Sequence, residues 1–337
     1  MKTGTDNQIP VEKPAAPAER LPWVDALKGF GILAVVAAHV YPPPFSTVLY
    51  LFHMPLFFLI GGYLLRPKTG LLSFARSKAL HLLVPYACFL ALVYPYQVDL
   101  TLAGHPPLTA HTLALLILAP IVGGKLLIGP AAVFWFVTCF FVTQQLVNFL
   151  IVRFNQRQVV LFMCSSLALA YANSLLLPRF WLPWNVNVVF AAAPLFYLGY
   201  LARQRAFRTP LWASAGVAIL SLVLFSSGHL VVPDMKAANY GTPVLALLFS
   251  VAWIFSLMAL ARGVHAVPVL GPGLKALGAA SMVIMYAHQS LQLLMQRSFG
   301  VDNPTLRFVG AVLGCYLLFI LLNRWQPTRI LFLGARS

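Results

Sequence analysis

The chain has 337 residues, of which 60% are hydrophobic and 9% charged, and its formal net charge is +16 at pH 7. Soluble domains carry about 25% charged residues, so this composition excludes that class and indicates a polytopic membrane protein. The basic excess does not indicate a nucleic-acid partner, because no basic stretch is interleaved with aromatic residues outside an apolar segment.

Residues 1–21 form a polar segment before the first apolar run. Their positive and negative charges balance, three prolines discourage a helix, and the apolar core of a signal peptide is missing. We therefore expect a disordered cytoplasmic tail. Residues 22–325 are predicted to form one all-α membrane domain of about ten transmembrane helices, and residues 326–337 a short basic cytoplasmic tail.

The predicted spans are apolar segments long enough to cross a bilayer, with connections rich in glycine and proline. They run over 23–41, 45–65, 79–97, 131–152, 159–177, 187–202, 211–231, 243–261, 277–296 and 306–323. A shorter apolar run at 112–122 is expected to form a re-entrant or interfacial helix.

Charges in the connections orient these spans. With a cytoplasmic N-terminus, fourteen Lys and Arg residues beyond the first span fall on the inner side and five on the outer side. Asp99, Asp234 and Asp302 then all lie outside. Because cytoplasmic loops carry an excess of cations, both termini are predicted to be cytoplasmic and the number of spans to be even.

The first span contains an ionisable residue towards each end. Lys28 and His39 are eleven residues apart, which places them on one helix face and separates them by about 16 Å along the axis. Asp25 lies one turn before Lys28 and can pair with it. Imidazole acts as a general base near neutral pH, so His39 is a candidate catalytic residue. The alternatives are a lysine that snorkels to the membrane surface and a histidine that only packs within the bundle.

The second span contains His53, two residues before Pro55. Proline cannot donate a backbone hydrogen bond, so Pro55 frees a carbonyl one turn earlier. We interpret His53 either as a packing residue that satisfies this broken turn or as a direct substrate contact.

These two spans resemble the membrane acyltransferase 3 family, and within it the branch of fucose 4-O-acetylases and exopolysaccharide acetylases. The resemblance begins with Asp25, Lys28, Gly29 and His39 as a unit, and it extends over about residues 22–325. Much of the family has arginine where this chain has Lys28. The other matching motifs are the run Phe52-His53-Met54-Pro55-Leu56-Phe57-Phe58, the basic stretch Arg76-x-Lys78-x-x-His81, Phe134-Trp135-Phe136, Trp184-Asn185-x-Asn187 and Tyr286-x-His288.

The resemblance implies an O-acetyltransferase of the bacterial inner membrane that uses cytoplasmic acetyl-CoA. Its acceptor would be a sugar hydroxyl of an exported or lipid-linked polysaccharide. The enzyme would be surrounded by membrane lipid, and polysaccharide assembly machinery would be a possible partner. Catalysis is expected from His39, Lys28 and Asp25. The donor is expected to bind Lys28, Arg76, Lys78 and His81. The acceptor is expected to contact His53, Trp135, Trp184, Asn187 and His288. No metal is expected, because the four cysteines lie singly in separate spans.

Several alternatives stay open at this point. The transferred group is acetyl or another acyl group such as succinyl, and transfer is direct or passes through an acyl-histidine. A transporter would use Lys28, His39 and His53 as a relay, although no inverted repeat is found. A catalytically silent export partner is a third reading. The candidate site residues also have explanations without a ligand. The inner cations can reflect the positive-inside rule alone, Trp135 and Trp184 can anchor the protein at the membrane surface, and Asn187 and His288 can form hydrogen bonds in helix packing.

Overall fold

The computed structural model describes residues 21–104, 109–207 and 209–335. In these ranges it consists of helices and connections, with one isolated β-bridge between Asp234 and Asn239. The prediction of an all-α polytopic membrane protein is confirmed. The helices are α1 Pro22–Val40, α2 Phe45–Leu49, α3 His53–Tyr63, α4 Leu71–Ala103, α5 Ala110–Val122, α6 Trp135–Arg153, α7 Gln156–Leu176, α8 Val189–Gln204, α9 Leu211–Ser226, α10 Leu245–Val264, α11 Leu270–Ala279, α12 Ser281–Ser298, α13 Pro304–Leu322 and α14 Gln326–Leu333. Short 3₁₀ helices cover Gly124–Leu126, Gly129–Phe134 and Pro183–Val188.

Eight helical segments in the described ranges are long and apolar enough to cross a membrane. The pair α11 and α12, bent by 79°, makes a ninth if it is one span. Helix α9 has 16 residues and corresponds to the predicted span at 211–231. Each of the ten predicted segments thus contains a helix, while the ten-span topology and its orientation stay predictions.

Three of the predicted spans differ in length or continuity from the observed helices. Helix α4 has 33 residues and is about 50 Å long at 1.5 Å per residue, so it extends well beyond the predicted span at 79–97. The second span is broken into α2 and α3, and the span at 277–296 bends at Ala280. At the first break, the Leu51 carbonyl that Pro55 frees accepts a hydrogen bond from the Ser250 hydroxyl.

Helix α1 lies inside the bundle and packs against α3, α10, α11, α12 and α13. Its closest neighbour is α11, where Gly278 faces the backbone of Asp25 and Gly29 faces the backbone of Leu274. Small residues allow two membrane helices to approach to backbone contact. The helix that carries Lys28 and His39 is therefore held by backbone packing on the side of α11.

The connection between α9 and α10, residues 227–244, folds back onto the bundle, and we call it the capping loop. Within it Leu230, Met235 and Tyr240 are buried. The Asp234–Asn239 bridge closes its tip, and the amide of Asn185 donates to the backbone oxygen of Lys236 at 3.0 Å. Asp234, Met235 and Lys236 of the loop line a cavity together with Val35 and His39, so the loop covers the C-terminal end of α1.

Candidate active site

A cavity of about 200 Å³ lies at the C-terminal end of α1, and we call it the histidine cavity. Its polar and aromatic lining comes from three parts of the chain that are distant in sequence. These residues are His39, Tyr50 and His53, then Trp135, then Asp234 and Lys236. The ring centroids of His39 and His53 are 6.4 Å apart, and those of His39 and His288 are 5.2 Å apart. Three predicted site histidines therefore meet here.

The three imidazoles share one hydrogen-bonding pattern. In each ring Nδ1 lies close to the backbone oxygen four residues earlier. The distance is 2.8 Å from His39 to Val35, 2.7 Å from His53 to Leu49 and 2.7 Å from His288 to Ile284. A carbonyl oxygen only accepts, so Nδ1 carries the proton in each neutral ring and Nε2 keeps its lone pair. Nε2 of His288 is buried without a hydrogen-bond partner. The pattern orients His39 for proton acceptance through Nε2.

Trp135 begins α6 and is 5% exposed. Its ring lines the histidine cavity, so membrane anchoring, which needs a tryptophan at the lipid surface, is wrong for this residue. Its position fits an aromatic wall for a bound ligand.

Trp184 and Asn187, in contrast, are not among the residues that line the histidine cavity. Trp184 Nε1 donates to the Ile121 oxygen at 2.9 Å. Asn187 Nδ2 donates to Asn173 Oδ1 at 3.0 Å, and its own oxygen accepts from the Leu182 backbone. These bonds fix the 3₁₀ turn Pro183–Val188. Because these polar groups are occupied within the fold, a contact of Trp184 and Asn187 with the acceptor stays a prediction.

Asp234 and Lys236 were missed as site residues. The Lys236 ammonium donates to the Leu127 oxygen at 2.7 Å. Burial lowers the pKa of Lys236 to about 8, and the charge of Asp234 partly opposes this shift. The signal in the sequence is a pair of opposite charges in an otherwise apolar stretch of the capping loop, and such a pair is equally expected in an ordinary outer loop.

A second cavity of about 260 Å³ lies at the other end of α1, and we call it the lysine cavity. Lys28, Lys78, His81 and Gln144 line it together with apolar side chains of α3, α6 and α12. Lys28 Nζ lies 3.1 Å from Asp25 Oδ1, so the expected ion pair is present. Met285 of α12 lines both cavities. The two cavities are thus stacked along α1 and separated at Met285.

Three of the predicted donor-binding residues, Arg76, Lys78 and His81, lie on α4. Arg76, Lys78 and His81 line a wider hollow of about 840 Å³, bordered by the end of α14. His81 Nδ1 lies 2.9 Å from the Gly334 oxygen, which ties α4 to the C-terminal segment. Lys78 and His81 line both the hollow and the lysine cavity. The hollow and the lysine cavity therefore adjoin at Lys78 and His81.

Comparison with known protein families gives a match over most of the chain. The acyltransferase 3 family, described as an acyltransferase domain, matches residues 21–324, which is most of the chain. No curated protein and no solved structure matches it. The match includes Lys28, His39 and the residues that line both cavities. Taken with the long apolar helices, it shows that the chain belongs to the acyltransferase 3 family and is a multi-pass membrane acyltransferase.

Proposed function

We propose that the protein is an O-acetyltransferase of the bacterial inner membrane. It transfers acetyl from cytoplasmic acetyl-CoA to a sugar hydroxyl of an exported or lipid-linked polysaccharide, beside membrane lipid and polysaccharide assembly machinery. The observation that carries this proposal is the stacking of two cavities along α1, one with a base, His39, and one with a cation, Lys28.

The donor enters from the side of the basic hollow. Phosphates bind cations through short, charge-assisted hydrogen bonds, which Arg76 and Lys78 can donate. The pantetheine arm then lies in the lysine cavity, past Lys28. Since Lys28 and His39 are separated by about 16 Å along α1, an extended arm of this kind brings the thioester to Met285 and the edge of the histidine cavity.

The acceptor sugar lies in the histidine cavity. As its hydroxyl oxygen attacks the thioester carbonyl carbon, Nε2 of His39 accepts the hydroxyl proton. The carbon–sulfur bond breaks, and the CoA thiolate leaves with the proton returned by the imidazolium. Asp234 and Lys236 can bind neighbouring sugar hydroxyls, and Trp135 supplies an apolar face. Holding both substrates in register accounts for much of the rate.

The first experiment compares the polysaccharide of cells with and without the gene by mass spectrometry. We expect the gene to add the mass of one acetyl group in place of a hydrogen to a particular sugar. A succinyl increment instead would change the donor assignment and keep the transferase. The absence of any acyl difference would contradict the proposal.

His39→Ala is the matching test in the protein. Loss of general-base catalysis typically lowers the rate by about 10²–10⁴-fold, so we expect acetylation to be undetectable with membrane insertion unchanged. The control is His229→Ala, because His229 is exposed in the capping loop and its imidazole lies 3.0 Å from the Ser227 hydroxyl, within the same loop. Normal acetylation in His39→Ala would move the role to His53 or His288.

A further inference from the structure

Gln144 on α6 is a buried polar side chain in the lysine cavity. It is 5% exposed, and its Oε1 is buried without a hydrogen-bond partner. Leaving a buried acceptor unsatisfied costs about 1–3 kcal/mol. Such a group in a native fold calls for a partner that the protein itself does not supply.

The opposite wall of this cavity supplies hydrogen-bond donors. Helix α12 begins at Ser281, no side chain caps its N-terminus, and Ser281 lines the lysine cavity with Lys28. The first N–H groups of a helix have no partner within the helix and carry partial positive charge. The cavity therefore presents an acceptor on α6 and donors on α12 and α1.

The rest of the wall is apolar, with Phe57, Ile60 and Phe140 among its members. A ligand that fits needs a flexible aliphatic body, one N–H donor and one carbonyl acceptor. A secondary amide within a methylene chain has all three. Phosphates fit this region poorly, because Lys28 already pairs with Asp25 and the other basic residues of the wall, Lys78 and His81, lie at the border with the outer hollow.

Resting on the proposed function, we infer that Gln144 positions the donor by accepting a hydrogen bond from an amide N–H of its pantetheine arm. The amide oxygen then faces Ser281 and the N-terminus of α12. Gln144 thereby sets how far the arm reaches towards Met285 and His39, and it distinguishes amide-containing thioesters from plain alkyl thioesters. It takes no part in bond breaking.

The experiment measures binding of CoA, phosphate-free pantetheine and adenosine 3′,5′-bisphosphate to the purified full chain by calorimetry. Gln144→Met keeps the size of the side chain and removes the acceptor. One neutral hydrogen bond changes affinity by about five- to tenfold, so we expect that loss for CoA and pantetheine and none for the bisphosphate. The control is Gln145→Met, the next residue of α6, which is not among the residues that line the cavity.

A second probe makes the test independent of how the variant folds. Pantetheine with both amide nitrogens methylated lacks the N–H donors, and it should bind the wild-type protein about five- to tenfold more weakly than pantetheine. Equal binding of both probes to wild type, or equal CoA binding by folded Gln144→Met and wild type, would overturn the inference and leave the proposed function standing. Failure of wild type to bind CoA at all would instead refute the donor assignment of the proposed function, and the inference with it.

Discussion

Replacing Gly278 by alanine tests whether the close contact between α11 and α1 positions the active site. A Cβ atom at Gly278 would lie 1.8 Å from the backbone oxygen of Asp25, whereas ordinary contacts begin at 3.4 Å. The blocking atom belongs to the backbone, so no rotamer change relieves the overlap. The two helices must separate by about 1.6 Å at this point, the difference between those two distances.

The separation has two effects. Overpacking of this kind destabilises a protein by about 1–3 kcal/mol. It also shifts Asp25 and Lys28 on α1 relative to α11. Because α12 follows directly on α11, Met285 and His288 move with it. A misplacement of about 1 Å at a reacting centre costs about 10²-fold in rate. We therefore expect Gly278→Ala to lose about two orders of magnitude in acetyl transfer.

The assay pairs transfer activity in isolated membranes with the thermal transition of the detergent-purified protein. Gly273→Ala is the matched control, because Gly273 lies on the same helix and an added Cβ there meets nothing within 4 Å. We expect the control to match wild type in both measurements. A Gly278→Ala protein as active and as stable as the control would refute the reasoning.

Three further predictions concern charge. Because burial lowers the pKa of Lys236 to about 8, its ammonium is lost as the pH rises through that value; activity should fall there, and Lys236→Arg should move the fall to higher pH in a pH–rate profile, whereas an unmoved profile would exclude Lys236. Replacing Arg76 and Lys78 together by glutamine should weaken CoA binding in calorimetry, and wild-type affinity should fall with salt; equal binding by both proteins would make these cations purely topological. Reporter fusions near Lys125 should report the outer side and a C-terminal fusion the cytoplasm; a periplasmic C-terminus would break the orientation.

The sequence predicts the helices well, and their breaks and ends less well. An average of hydropathy over a window includes Leu51 and Phe52 in one apolar segment, because both are apolar. Such an average contains no information on the break in helical hydrogen bonding at these residues. It also ends the third span where polar residues begin, near Lys78 and Gln97, although α4 continues on both sides. Helix length depends on backbone hydrogen bonds and packing, and these are not limited to the apolar part of a chain.

The site was predictable where the cost of burial marks it. An ionisable side chain in an apolar span is expensive, so Lys28, His39 and His53 were visible from sequence alone. Lys236 was not, because the fold brings it to His39 from almost two hundred residues away in a loop where charges are ordinary. Asn187 shows a limit of sequence reasoning: a polar group at the end of a span has the same sequence signal whether it binds a ligand or, as the hydrogen bonds of Asn187 do, holds a turn.

The partition at Met285 bears on how well the membrane is sealed. An enzyme of the proposed kind transfers an acyl group from the cytoplasmic side to the outer side of the membrane and must not let ions through. Each elementary charge that crosses a membrane potential of 100 mV dissipates about 2.3 kcal/mol. Met285 is 5% exposed. Its thioether is a weak hydrogen-bond acceptor and has no donor, so it gives little support to a chain of hydrogen-bonded water molecules between the two cavities. Its flexible chain can swing aside for a thioester arm and return without breaking a strong hydrogen bond. Transfer and electrical insulation are thus compatible at one side chain.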